Sequence, residues 1–107
     1  METIKKLLKN GISLDYNEVI NICKKYYIKE LSLFGSSIRD DFTKTSDIDI
    51  LVSFDKDSKI TLFSIIELEN EFSKLLGRDV DVVEKESLKN PIRKNKILSS
   101  REIIYAA

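Results

Sequence analysis

The residues best suited to chemistry in this chain are three aspartates set among apolar neighbours. Asp47 and Asp49 stand two apart in the run Ser46-Asp47-Ile48-Asp49-Ile50-Leu51-Val52. In a strand that spacing sends both carboxylates off one face, with Cα atoms roughly 6.6 Å apart. Side chains reaching from such positions can share two metal ions ~3.5–4 Å apart. Aspartate is depleted within strands, so a pair inside an otherwise apolar one calls for a reason. Asp81, flanked by Val80, Val82 and Val83, adds a third carboxylate if its strand pairs beside the first. Three carboxylates within ~4 Å of one another repel by about 4 kcal/mol per pair at an effective dielectric of about 20. Divalent cations relieve that repulsion. The plainer alternatives are solvated strand-end residues at 47 and 49 and an edge-strand charge at 81.

Gly35 and Ser36 precede the aspartate pair, at a point where an apolar run gives way to a turn. Glycine lets the backbone approach a ligand closely, and N–H groups at the start of a following helix attract anions. Ser36 adds a hydroxyl, and Arg39, one turn on, carries a fork of donors suited to phosphate. Gly35-Ser36 also reads as an ordinary turn with a serine cap, and Arg39 as a surface residue. Arg93, Lys94 and Lys96 form a basic cluster late in the chain. Such clusters are usually a solvated helix face; contact with phosphate or with a partner is the sharper alternative.

Composition narrows the chemistry. The chain has 107 residues, no histidine and one cysteine, Cys23. Serine or cysteine catalysis with a histidine base is therefore excluded, as is an internal disulfide. A zinc site is not expected, and oxygen ligands point toward Mg²⁺, Mn²⁺ or Ca²⁺. Eighteen basic residues balance eighteen acidic ones, which argues against broad, sequence-independent nucleic-acid binding. No apolar run reaches the ~20 residues of a membrane span, and the first residues lack a signal-peptide core. A cytoplasmic protein is the expectation.

The elements that must position these residues follow from periodicity and punctuation. Residues 2–10 are expected to form a short helix closed by Gly11. Ser13 or Asp15 is placed to cap a second helix over about residues 16–27, whose Cys23, Tyr26 and Tyr27 read as core. Strands are expected at 31–34, 47–54 and 80–83, with a short helix at 36–40 and polar loops at 43–46 and 55–59. Leu62 to Leu76 is a clear amphipathic helix that stops at Gly77. Pro91 suits the first turn of a last helix through about Leu98, and Ile103-Ile104-Tyr105 is an apolar end of undecided type. The fold class is α/β (α+β): one domain over residues 1–107, a small sheet flanked by helices.

Taken together, Gly35-Ser36, Arg39 and the Ser46–Val52 run resemble the signature of the polymerase-β-type nucleotidyltransferases. Leu75-Leu76-Gly77-Arg78-Asp79-Val80-Asp81-Val82-Val83 resembles the third-carboxylate strand of their minimal members, and the likeness runs from about Leu31 to Tyr105. The resemblance implies a nucleotidyltransferase fold with a small mixed sheet. It implies that Asp47, Asp49 and Asp81 bind two Mg²⁺ ions, with Asp81 also helping to deprotonate the acceptor. Gly35, Ser36, Arg39 and Ser46 would hold the nucleotide. The implied reaction moves a nucleoside monophosphate, AMP from ATP, onto an acceptor hydroxyl. Minimal members are often antitoxins of all-helical HEPN ribonuclease toxins, so a toxin tyrosine is the implied acceptor and the toxin the implied partner, with no stable nucleic-acid partner. Two other readings stay open: a module that neutralises its partner by occlusion, and a transferase acting on a small molecule or an RNA end.

Overall fold

A computed structural model describes residues 5–7, 13–35 and 47–107. Its centre is a four-stranded mixed sheet. The strands are β3 (Ile28–Phe34), β4 (Ile48–Phe54), β5 (Val80–Glu84) and β6 (Glu102–Ala106), in the order β5-β4-β3-β6. β3 runs antiparallel to both β4 and β6, whereas β4 and β5 are parallel. The helices are α1 (Tyr16–Lys25), α2 (Leu62–Leu76) and α3 (Pro91–Ser100). The expected small mixed sheet with flanking helices is what forms.

The largest departure lies at the start. Lys5–Leu7 is a strand, β1, paired antiparallel with β2, Ser13–Asp15; the helix expected over residues 2–10 is not made there. Asn10-Gly11 is a hairpin signal as well as a helix stop, and pairing of the flanks on either side is the outcome. Three smaller differences have local causes. Asp15 rather than Ser13 caps α1, its carboxylate accepting from the Asn17 amide at 3.1 Å. Tyr27 is not core: it lies just past α1 at φ 57 and is 58% exposed. The undecided apolar end is strand β6, which pairs with β3. The helix expected at 36–40 and the loop at 43–46 fall outside the described residues.

Strand alternation divides β4 between two cores. Ile48, Ile50 and Val52 face the main core, where Val19, Ile22 and Cys23 of α1 and its C-cap Tyr26 meet Leu68 and Phe72 of α2. The α1 residues stand at i, i+3, i+4 and i+7, one helical stripe. Leu51 faces the other way, into a smaller core with Phe34, Leu88 and Ile97 beneath α3. Burial holds the Cys23 thiol up at about 12, so it is a neutral core group. The α2 helix is fixed by a capping box between Thr61 and Ser64 and by Gly77 at φ 67, a left-handed position glycine takes cheaply.

α3 is held at both ends. The Asn90 side chain accepts from the amides of Ile92 and Arg93 at 3.0 and 3.2 Å, with Pro91 at the first helical position. Past the other end, the Arg101 guanidinium meets Glu30 of β3 at 2.5 Å, and Lys85 approaches the same oxygen at 3.5 Å. Burial pushes the Glu30 carboxyl up, but the hydrogen bond and charge of Arg101, aided by Lys85, outweigh it and leave the group below its ordinary value.

A carboxyl depressed in the folded state adds stability that is present above its unfolded value and lost as pH falls through the folded one. Arg101→Gln is therefore expected to cost about 1–2 kcal/mol near neutral pH, between the figures for exposed and buried pairs. Urea titrations at falling pH should show the gap to wild type closing in the acid range, and a gap unchanged by acid would contradict this account of the pair.

Candidate active site

The register of β4 and β5 decides how the aspartates meet. In this parallel pair Asp49 stands directly opposite Asp81. Neighbouring strands lie about 4.8 Å apart and opposite residues share a face. That face carries Leu51 and Val83 into the α3 core, so Asp49 and Asp81 leave the sheet on the α3 side. Asp47 is exposed just before β4, where the Ile48 amide bonds to the Asp79 carbonyl at 2.9 Å. Among the described residues no three carboxylate, histidine or cysteine side chains are gathered closely enough to hold a metal ion. The strands thus bring Asp49 and Asp81 to adjacent positions, with Asp47 at the same end of β4, and the three side chains do not converge further.

Two contacts keep β5 in place. It is the sheet's edge, and the outward amide of Val82 is taken by the Glu69 carboxylate of α2 at 2.9 Å. On the α3 side, the buried Ser53 hydroxyl donates to Glu86 at 2.7 Å, just past β5. Neither partner was visible as a pair in the sequence, since each joins residues far apart along the chain.

Gly35 ends β3 beside this pair. Phe34 is the register partner of Asp49, and Gly35 follows at φ 68. A Cβ at Gly35 would overlap the Asp49 carboxylate Oδ2 and stand 3.3 Å from its Cγ. Glycine is thus required twice, by the backbone angle and by the closeness of the aspartate. Ser36, Arg39 and Ser46 lie outside the described residues.

Gly35 and Asp49 form one wall of a cleft of about 310 Å³, whose other wall is α3 through Arg93, Lys96, Ile97 and Ser100. From sequence, Arg93 and Lys96 read first as solvated charge, with phosphate or partner contact as the alternative. The spacing 93, 96, 97, 100 marks one face of a helix, but only the fold shows that this face meets Asp49. A larger cleft of about 590 Å³ lies beside Tyr27 and residues 55–59, away from these aspartates. Among the described residues no helix is long and apolar enough to cross a membrane.

An aspartate pair from adjacent strands, a glycine turn and a basic wall suit a phosphate ester, and the comparisons with known proteins point to a nucleotide-handling family. The nucleotidyltransferase domain family matches residues 17–104. The chain belongs to that family. A Methanocaldococcus jannaschii protein carrying a provisional protein adenylyltransferase name is 43% identical over 82 residues, covering 77% of this chain and 80% of that protein. Protein adenylyltransferase MntA of Thermococcus cleftensis is 39% identical over 82 residues, covering 77% and 78%. Among solved structures, a chain of a toxin–antitoxin crystallised with AMP-PNP superposes with a TM-score of 0.69 at 22% identity, over 88% of this chain and 75% of that one. A chain from a complex of a tri-AMPylated Shewanella oneidensis HEPN toxin with its MNT antitoxin gives a TM-score of 0.60 at 20% identity, over 86% and 70%. These likenesses in structure place the fold.

The two left-handed glycines give a paired test. Gly77→Ala meets nothing within 4 Å and should cost only the backbone penalty, about 1–2 kcal/mol, leaving catalysis intact. Gly35→Ala carries the same penalty plus the overlap with Asp49, so it should lose more stability and most activity. Thermal unfolding and a transfer assay on both variants check this, and equal behaviour would contradict the close approach at Gly35.

Proposed function

We propose that this chain is a protein adenylyltransferase that moves AMP from ATP onto a hydroxyl of a partner protein, a tyrosine of a HEPN-type toxin, and so acts in the cytoplasm as that toxin's antitoxin. The observation that carries the reading is the in-register placement of Asp49 against Asp81 beside Gly35, in a chain of the nucleotidyltransferase domain family. The relatives named as protein adenylyltransferases support a protein acceptor.

Asp47, Asp49 and Asp81 offer hard oxygen donors and nothing softer, which fits Mg²⁺. The lack of a Cβ at Gly35 lets the Asp49 carboxylate lie close against the turn. Those three residues would hold the ions. When bound, Mg²⁺ neutralises charge on the phosphates and on the developing pyrophosphate.

The remaining roles belong to the chain. Gly35 lets the triphosphate approach the backbone at the end of β3, with Ser36, Arg39 and Ser46 as further nucleotide contacts. Asp81, exposed on the edge strand, accepts the proton of the incoming hydroxyl. That oxygen bonds to the α-phosphorus in line, the bond from the α-phosphorus to the bridging oxygen breaks, and pyrophosphate leaves with the electron pair. Positioning and electrostatics account for most of the rate, as in phosphoryl transfer at large.

The test uses ATP labelled at the α- or the γ-phosphate, Mg²⁺ and the protein encoded beside this gene. The α-label should pass to the partner and the γ-label should not. Asp49→Asn should reduce transfer by about 10²–10³-fold or more, the scale on which lost electrostatic stabilisation acts. Neutralisation of the partner without any α-label transfer would contradict the proposal and favour occlusion.

A further inference from the structure

Along α3 the residues that line the Asp49 cleft alternate in kind. Arg93 and Lys96 are exposed and cationic, while Ile97 is buried in the core under the sheet. Arg93 and Lys96 are three apart, so their side chains rise on the same side of the helix. Three cations elsewhere in the fold are committed: Lys25 pairs with Glu71, and Lys85 and Arg101 pair with Glu30. Among the described residues Arg93 and Lys96 have no carboxylate partner. They face a cleft whose opposite wall is Asp49 and Gly35.

A cationic wall across a cleft from a carboxylate suits an anion lying between them. A lone pair of surface cations would be unremarkable. Here the helix that carries them is fixed by the Asn90 cap at one end and by Arg101 on Glu30 at the other. The position of the wall is therefore set before any ligand arrives, which lowers the ordering cost of binding. The cleft, about 310 Å³, has room for a polyphosphate between its walls.

We propose that Arg93 and Lys96 hold the β- and γ-phosphates of the nucleotide and then the departing pyrophosphate. This deepens the adenylyl-transfer reading and rests on it. The arginine supplies a planar fork for two phosphate oxygens and the lysine a compact charge beside it. As the bond from the α-phosphorus to the bridging oxygen breaks, the electron pair moves onto pyrophosphate. The two cations stabilise that added charge, while the acceptor oxygen, having lost its proton to Asp81, keeps the new bond to the α-phosphorus. The α-phosphate and nucleoside need not touch α3, so the two cations discriminate ATP from AMP.

The experiment measures binding of ATP, AMP and pyrophosphate, each with Mg²⁺, by isothermal titration calorimetry. The proteins are wild type, Arg93→Gln, Lys96→Gln, the double variant and Lys94→Gln, which removes a charge from the same helix away from the cleft. Steady-state transfer to the partner is followed in parallel. The double variant should bind ATP and pyrophosphate about tenfold more weakly or worse, the loss of charge-assisted contacts. Its AMP affinity should stay within about twofold, and an added variant, Arg93→Lys, should lose less ATP affinity than Arg93→Gln. Lys94→Gln should match wild type. In transfer, the double variant should show a raised KM for ATP. Unchanged ATP and pyrophosphate binding in the double variant would overturn the proposal, as would equal losses for ATP and AMP or a loss of partner binding alone. Wild type that transfers AMP while the double variant binds ATP normally leaves adenylyl transfer standing and removes the α3 role. Wild type that binds ATP through these cations yet labels no partner does the reverse. Absence of ATP binding by wild type overturns both.

Discussion

Asp49 and Asp81 lie side by side because β4 and β5 run parallel and in register, and most of the site follows from that pairing. Adjacent strands put opposite residues about 4.8 Å apart, and like charges directly across a ladder are unfavourable. At ~4 Å and an effective dielectric of about 20 the repulsion is about 4 kcal/mol. A fold that accepts such a pair must meet it with positive charge. In the proposed reading a divalent cation at the carboxylates supplies it, and the cations of α3 across the cleft add to it. A shift of one residue in the β5 register would turn Asp81 into the main core beneath α1 and α2, among apolar side chains.

The rest of the chain serves to keep that register and to close the cleft. Glu69 of α2 caps the exposed edge at the Val82 amide, and Glu86 ties the end of β5 to Ser53 of β4. The Glu30–Arg101 pair fixes the far end of α3 against β3. Each contact joins elements that are distant in sequence and near in space. Charge balance over the whole chain, eighteen against eighteen, conceals a local arrangement in which an acidic strand pair looks across at a basic helix face.

How much of this was legible in the sequence depended on whether the signal was local. Leu62–Leu76 could be read to the residue because a long apolar stripe stops at Gly77. The aspartates stood out because charge inside an apolar strand is conspicuous. Lys5–Leu7 misled because a three-residue strand owes its form to its partner Ser13–Asp15, and Asn10-Gly11 suits either a helix stop or a hairpin. Tyr27 misled because helical spacing was extended two residues past the end of α1 at Lys25. Arg93 and Lys96 were seen as charged, but their direction depends on the packing of Ile97 under the sheet, which no local pattern records. Ser36, Arg39 and Ser46 rest on the sequence motif.

The most direct measurement of the central claim is a crystal structure of this chain with AMP-PNP and Mn²⁺, read by anomalous scattering. The account predicts the manganese signal at the carboxylates of Asp47, Asp49 and Asp81, on the α3 side of the sheet, with the phosphates between them and Arg93 and Lys96. Manganese and nucleotide seated instead in the cleft beside Tyr27 and residues 55–59, or on the opposite face of the sheet, would contradict it.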